Sequence, residues 1–415
     1  MTAPLTSRAL GLTPGRPALG RLVGCDPDVF AADVWGREPL LSRSDDLPAG
    51  FVDLIDDAAV DELVSRRGLR APFLRVAKDG TTFGDRSFTA GAGVGAGIGD
   101  QVSDDKLVGL FAGGATLVLQ GLHRVWPPLL DFAQSLAADL GHPVQVNAYV
   151  TPPASRGFDD HYDVHDVFVL QVGGEKQWRI HRPVHPAPLR DQPWTDHRSA
   201  VAQEAQAEPL LDAVLRPGDC LYLPRGYLHA ATALGGVSTH VTIGVHTWTR
   251  FSLAEQLVAE ALAQLCADPA VRSSLGLGAA VDDPGATADD LELVRSRLLD
   301  AVTRVRAEDV AGRLAERARG AQRAAPVGPL AQLQAASTLR HSDTLSMRPH
   351  LAASLVEAPD GGTTLRSRAG DVPLEPAEAA VVRPLLDGET ATAADLGADL
   401  ARRLLAAAVL VVEPR

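Results

Sequence analysis

Two histidines and one aspartate define the chemistry this sequence could perform. His161-Tyr162-Asp163 lies near the middle of the chain, and His229 follows 68 positions later inside Pro224-Arg225-Gly226-Tyr227-Leu228-His229. In an extended strand, residues two apart share a face, so His161 and Asp163 would present an imidazole nitrogen and a carboxylate oxygen side by side. A third ligand must come from another strand. The segment 216–223 reads as a tight turn feeding a short apolar strand, and Pro224-Arg225-Gly226 bends the chain so that His229 can face back. Two imidazoles and one carboxylate on one face of an octahedron leave three positions open, the donor set of mononuclear non-haem Fe(II) oxygenases. Zinc more often takes thiolates or a closed tetrahedral shell. An H-x-D tripeptide alone occurs by chance, so its surroundings decide its meaning. His165 competes as a ligand because it shares the strand face of 161 and 163, and it ranks second because it falls at the edge of the site.

The elements behind these residues are legible. Val167, Val169 and Gln171 alternate with Phe168, Leu170 and Val172, which reads as a strand; Gly173-Gly174 then reads as a turn into a second strand, Gln177-Trp178-Arg179-Ile180. Lys176 stands just before that second strand in a chain with three lysines against 36 arginines (39 − 3). A compact ammonium near a metal is a suitable anchor for a small carboxylate. The alternative is a hairpin-tip lysine in water.

The run Asn147-Ala148-Tyr149-Val150-Thr151-Pro152-Pro153 through Arg156-Gly157-Phe158-Asp159-Asp160-His161-Tyr162-Asp163, followed by Phe168-Val169-Leu170-Gln171 and Gly174-Glu175-Lys176-Gln177-Trp178-Arg179, resembles the JmjC-type ribosomal oxygenases. Phe30, Trp35-Gly36-Arg37-Glu38-Pro39-Leu40, Pro217-Gly218-Asp219 and Pro224-Arg225-Gly226 extend the likeness over most of residues 28–250. The resemblance implies an Fe(II)- and 2-oxoglutarate-dependent protein hydroxylase of the cupin (double-stranded β-helix) fold. It implies His161, Asp163 and His229 as catalytic iron ligands and Lys176 as the anchor for the distal carboxylate of 2-oxoglutarate. Thr242 falls where a hydroxyl assists that lysine, and Asn147 and Tyr149 fall where the family faces cosubstrate and target side chain. Gly244 stands where relatives carry a serine. A lysine at 176, with the Thr-Pro-Pro lead-in, resembles the members that hydroxylate histidine; arginyl hydroxylases of the family tend to have arginine there.

Composition fits this expectation. The 415 residues, 46% hydrophobic, suffice for two or three domains, and no run reaches the length of a membrane span. The first residues, 1–8, lack the apolar stretch of a secretory signal. Cys25, Cys220 and Cys266 form neither a disulfide framework nor a C-x-x-C pair, so the expectation is a cytoplasmic protein. A net charge of −13 disfavours general binding to nucleic-acid phosphates and suits a basic partner such as a ribosomal protein, toward which the acidic lip Asp159-Asp160 could act. The glycine-rich run 90–97 lacks the Gly-Lys-Ser/Thr ending of a phosphate loop and reads as a surface loop.

Three regions are expected. Residues 1–250 form the mainly β catalytic core, with a strand at 116–120 and one helix at about 126–140. Residues 251–326 form a helical region: Ser252 with Glu255 reads as a capping box, a second helix starts near Thr287, and a third, about 308–323, carries Arg313, Arg317, Arg319 and Arg323 on a solvated face. The resemblance implies that this region makes a homodimer. Residues 327–415 read as a small α+β winged-helix domain with helices at 328–337, 376–386, 392–396 and 398–408, a Gly-rich turn at 360–363 and a strand at 409–412. Its last helix has only two arginines, adjacent to each other, too few for a DNA reader, so a structural or partner-binding role is expected. Other readings of the same core are an arginyl hydroxylase, a JmjC histone or DNA-associated demethylase, and a non-catalytic metal-binding cupin.

Overall fold

The computed structural model describes residues 15–91, 93–155, 158–357 and 362–414. Residues 1–8, Ala92 of the glycine-rich run, Arg156-Gly157 and Asp360-Gly361 lie outside the described residues. The chain divides between Thr247 and Trp248 into two compact units.

The first unit is built on one antiparallel sheet of nine strands. In chain order these are β1 Leu40–Ser42, β2 Leu74–Lys78, β3 Thr81–Thr82, β4 Thr116–Leu119, β5 Val144–Thr151, β6 Asp166–His181, β7 Leu211–Leu215, β8 Cys220–Leu223 and β9 Leu228–Val245. Their order across the sheet is β1-β8-β6-β9-β5-β4-β2-β3, with β7 added on β6. Period-two burial sorts the side chains. Val146, Ala148 and Val150 of β5, Phe168, Leu170 and Val172 of β6, and Val241 and Ile243 of β9 form the main core. Val167, Val169, Trp178 and Ile180 of β6 join Leu221 and Leu223 in a second core on the opposite face. The helix Pro127–Leu140 packs Leu129, Phe132 and Leu136 against the main core, entered through proline at its first turn and closed by Gly141 in the left-handed region.

The turn expected at Gly173-Gly174 is not there. β6 runs unbroken for 16 residues and pairs with β9 along both halves, from Leu228↔His181 to Leu234↔Glu175 and again from Thr239↔Gly173 to Val245↔Asp166. The glycines instead sit at a register shift. Gly174 has φ +61, and a Cβ there would strike the Val237 carbonyl of β9. Two glycines so placed let the long strand bend without reversing, which curls the sheet around its inner face. The glycine-rich run, by contrast, is without helix or strand over its described residues 91 and 93–97.

The second unit opens with helices Arg250–Leu265, Ala288–Arg304 and Ala307–Ala321. The first is capped by Thr249 with Ser252 as its reciprocal partner, not by Ser252 with Glu255, because the helix already begins at Arg250 and places Ser252 at its third position; Glu255 is engaged by Arg317 at 3.1 Å. Arg313 likewise reaches Glu260 at 2.7 Å. The arginine face expected in solvent therefore ties the third helix to the first at two of its four positions. Beyond these helices lie two three-stranded antiparallel sheets, one of Ser354–Glu357, Thr363–Ser367 and Gly370–Leu374, the other of Thr344–Met347, Ala391–Thr392 and Leu410–Val412. Helices Pro329–Ser337, Pro376–Leu386 and Ala398–Ala406 accompany them. The described residues contain no helix long and apolar enough to cross a membrane, and all three cysteines are free.

Candidate metal centre

His229 is the second residue of β9, and the backbones of His161 and His229 bond each other in both directions: His161 donates to the His229 carbonyl at 3.3 Å and His229 to that of His161 at 2.8 Å. This bridge substitutes for a longer ladder and holds two histidines from distant segments opposite each other. Their ring centroids are 4.4 Å apart. Asp163 completes the group: its carboxylate lies 3.7 Å from His229 Nε2, and one donor atom from each of the three residues falls within 4.8 Å of the others.

Each imidazole is oriented by its second nitrogen. His161 Nδ1 meets the Asp159 carbonyl at 2.7 Å and His229 Nδ1 the Tyr227 carbonyl at 3.1 Å. A carbonyl accepts, so Nδ1 carries the proton and Nε2 presents its lone pair to the cavity, the tautomer a metal requires. Burial, and then the neighbouring His161, push His229 down to about 4 against the pull of Asp163. Enclosure would raise Asp163, but the imidazoles of His165, His229 and His161 hold it below the usual carboxylate range. Neutral imidazole and ionised carboxylate are the ligating forms.

The three donors open into a cavity of about 290 Å³ whose wall includes Lys176, Tyr149, Trp178, His240 and Thr242. Lys176 is 3% exposed, not a hairpin-tip lysine, because the strand it occupies runs on without a turn. Its ammonium donates to Thr151 Oγ1 at 3.0 Å and lies 3.4 Å from His240 Nδ1; Thr116 backs Thr151 at 3.2 Å. No carboxylate among the described residues pairs with it, and burial pushes it down to about 7. Burial, then Lys176 and His229, hold His240 well below its ordinary value, so this ring is neutral. A buried cation with only neutral partners is a cradle for an anion. Tyr149 stacks on His240 with centroids 4.8 Å apart, and burial pushes its hydroxyl up to about 12, which keeps it a proton donor.

The remaining residues singled out from sequence divide. Thr242 faces the cavity, but the hydroxyl on Lys176 belongs to Thr151. Asn147 is not among the residues that line the cavity; its side-chain Oδ1 accepts from the Gly121 amide at 3.1 Å. His165 stands outside the donor group. It packs over Gly244, where a Cβ would come within 2.9 Å of its ring, and against His246 with centroids 5.3 Å apart. Sequence reasoning did not pick out Thr151 or His240 as site residues, though each is two positions along its strand from a residue it did pick, Tyr149 or Thr242, and so shares its face. Arg75 and Trp194 also line the cavity; Arg75 sits on β2 between buried Leu74 and Val76, an alternation from which its face could have been read.

Residues 129–253 match the family model described as the JmjC domain. Among curated relatives, Ribosomal oxygenase 1 of Rattus norvegicus is 38% identical over 146 residues, covering 34% of this chain and 24% of the relative. The Homo sapiens protein of that name is 30% identical over 236 residues, covering 54% and 34%. The Aedes aegypti protein named bifunctional lysine-specific demethylase and histidyl-hydroxylase NO66 is 29% identical over 218 residues, covering 52% and 32%. This chain thus spans 24–34% of the length of these relatives. Among solved structures, E. coli ycfD aligns over 93% of this chain and 98% of its own, at 16% identity and a TM-score of 0.54. A second structure of that protein, described as a ribosomal oxygenase in complex with cobalt and 2-oxoglutarate, has a TM-score of 0.52 at 16% identity, over 94% and 98%. The fold is therefore shared.

Proposed function

We propose, from the premise that this chain belongs to the JmjC-domain family, that it is an Fe(II)- and 2-oxoglutarate-dependent oxygenase that hydroxylates a histidine side chain of a ribosomal protein. One observation carries the reading: a His-Asp-His donor set and a buried lysine without a carboxylate partner open into the same cavity. The donor set fits the metal, since both imidazoles aim Nε2 inward and the carboxylate is ionised. The cradle fits the cosubstrate, since Lys176 is the cation a dicarboxylic acid needs at its far end.

His161, Asp163 and His229 would hold the metal on one face and leave the other to cosubstrate and dioxygen. When bound, iron and 2-oxoglutarate supply the oxidising power, the cosubstrate being decarboxylated to succinate as a C–H bond of the target becomes C–OH. Lys176 anchors the distal carboxylate, with Thr151 fixing its Nζ and Thr116 fixing Thr151. Val167, Val169, Ala230 and Ala231 form an apolar wall that limits water. Tyr149, protonated, can donate a hydrogen bond from the wall to either guest.

Histidine as target follows the histidyl-hydroxylase name borne by relatives and the lysine at 176. The acidic balance of −13 suits a basic ribosomal protein. The helical region is proposed to pair two copies: Phe251, Leu253, Val258 and Leu262 of its first helix and Leu291 and Leu299 of its second stay exposed. The C-terminal domain, read as winged-helix-like, is proposed to be structural or partner-binding. Its last helix keeps Arg402 beside Asp399 at 3.6 Å and Arg403 on Glu378 at 2.6 Å, leaving no free basic face on it.

The test is an anaerobic titration with Fe(II) and 2-oxoglutarate, followed by oxygen and ribosomal protein extract. A visible charge-transfer band that vanishes in His161→Ala, and a single histidine heavier by one oxygen atom, are expected. A band with no modified ribosomal protein would overturn the substrate, and no band would overturn the oxygenase.

A further inference from the structure

A second depression opens on the first unit, over strands β4, β5 and β9. Its two lips are the helices Asp57–Arg66 and Asp104–Ala112, and its floor is Leu117, Val150 and Val237, a space of about 860 Å³. That is about three times the metal cavity. Its apolar surface is unusually open: Val108 is 70% exposed and Val237 40%. An isolated exposed valine needs no explanation, but two facing one groove do.

The charge on the lips is mostly negative. Asp57, Asp61, Glu62 and Asp104 line the groove against Arg66 alone. Glu62 is answered by Arg67 at 2.5 Å, and Asp57 accepts from Thr239 at 3.1 Å. Asp61 and Asp104 stand on opposite lips, and neither is paired with a cation among the described residues. A helix surface that served only solvation would intersperse both signs, whereas an apolar channel between unpaired carboxylates complements a guest that is aliphatic in its middle and cationic along its flanks.

We propose that this groove is an exosite that holds a lysine- and arginine-rich stretch of the protein substrate, one carrying an aliphatic residue, while the target side chain occupies the metal cavity. The identity of that stretch rests on the reading of a basic protein substrate given above; the binding itself does not. Arginine and lysine side chains lay their aliphatic stems along Val60, Val64 and Val108 and place their charges between Asp61 and Asp104, and the aliphatic residue fills the floor at Leu117 and Val150.

The experiment uses the full chain and a fluorescently labelled peptide of alternating lysine and leucine, followed by anisotropy without iron or cosubstrate. Asp61→Lys/Asp104→Lys is compared with Asp282→Lys/Asp290→Lys, which changes net charge equally at exposed positions that do not line the groove, and with Val108→Ser. Affinity is expected to fall at least tenfold in the groove double variant and severalfold in Val108→Ser, and to weaken with salt. Equal losses in both double variants, or none in either, would overturn the exosite. With a protein substrate bearing a basic extension, the groove variant should raise KM and leave kcat unchanged; with a short peptide around the target residue, neither should move. A lysine-leucine peptide that binds the groove of a chain that hydroxylates nothing would overturn the enzymatic reading and leave the exosite standing.

Discussion

The amide of Gly226 donates to the carbonyl of Asp163 at 3.0 Å, so the turn that launches β9 grips the residue that supplies the carboxylate ligand. The same turn is held by Asp166, which is fully buried and accepts from the Arg225 amide at 3.0 Å and the Tyr222 hydroxyl at 2.7 Å. Gly226 has φ +92, and a Cβ there would meet the His185 carbonyl at 2.8 Å. Gly226→Ala should cost about 1–3 kcal/mol of stability and weaken metal binding, because the turn cannot relax without moving both Asp163 and His229. Denaturant unfolding and Co(II) titration read the two effects. His165→Ala is the contrast: it removes a histidine two residues from Asp163 yet should keep the cobalt spectrum, whereas His161→Ala should abolish it.

Lys176 gives the pH dependence. Its burial pushes it down to about 7 from an ordinary 10.5, so between those values the unfolded chain holds a proton that the folded chain lacks. The charge therefore destabilises the folded state fully below about pH 7, and this penalty fades as pH rises toward 10.5. Lys176→Met should unfold at a higher temperature than the parent chain at pH 6, with the gap closing as pH approaches 10. The same proton is needed to hold a dicarboxylate. Binding of 2-oxoglutarate should take up a proton above pH 7 and weaken by up to about tenfold per pH unit, and it should be lost in Lys176→Met. Calorimetry in two buffers of different ionisation enthalpy counts the proton.

Much of this site was legible in the sequence, and the reasons it was incompletely so are specific. His161, Asp163 and His229 could be grouped because two lie at strand spacing and the third follows a Pro-Arg-Gly bend; the structure does bring them together. Gly173-Gly174 misled because two consecutive glycines signal a turn far more often than a bulge, and only the partner strand shows that Gly174 is required by the Val237 carbonyl. Thr242 was expected beside Lys176 from the family resemblance alone, and that Thr151 holds the ammonium instead depends on how β6 bends at that bulge, which no local pattern records. Arg313 and Arg317 looked solvated since their partners, Glu260 and Glu255, lie on another helix 53 and 62 residues away. In the C-terminal region the helices were visible by period, while the short strands Ser354–Glu357, Thr363–Ser367 and Gly370–Leu374 were not, since each carries few apolar side chains and Thr363–Ser367 only Leu365.

The exposed apolar side chains of Arg250–Leu265 predict the state of association. Leu262 is 50% exposed and Leu253 49%, and removing the remaining half of such side chains from water on pairing contributes up to about 0.8–1.5 kcal/mol each. Leu262→Glu should convert a dimer to a monomer with an unchanged far-ultraviolet spectrum. Sedimentation of both chains across a range of concentrations checks this, and a parent chain that sediments as a monomer throughout would remove the helical region from any role in self-association.

Thr151 and Thr242 offer a direct comparison, because both carry a hydroxyl and stand on neighbouring strands of the same sheet. Thr151 is fully buried and receives the Lys176 ammonium at 3.0 Å. Thr242 lines the cavity without a hydrogen bond to that lysine, four register positions from Thr151 in the pairing that sets Thr242 opposite Asn147 and Ser238 opposite Thr151. Replacing a buried hydrogen-bond acceptor by an isosteric methyl leaves the donor unsatisfied and costs about 1–3 kcal/mol. Thr151→Val should therefore weaken 2-oxoglutarate about 5- to 150-fold and push Lys176 further down, moving the pH dependence of binding to lower pH. Thr242→Val should leave that pH dependence in place, whatever it does to affinity, since it does not touch the ammonium. Cosubstrate titrations of the two variants from pH 6 to 9 decide between them: a shifted profile in Thr242→Val and an unshifted one in Thr151→Val would return the assisting role to Thr242.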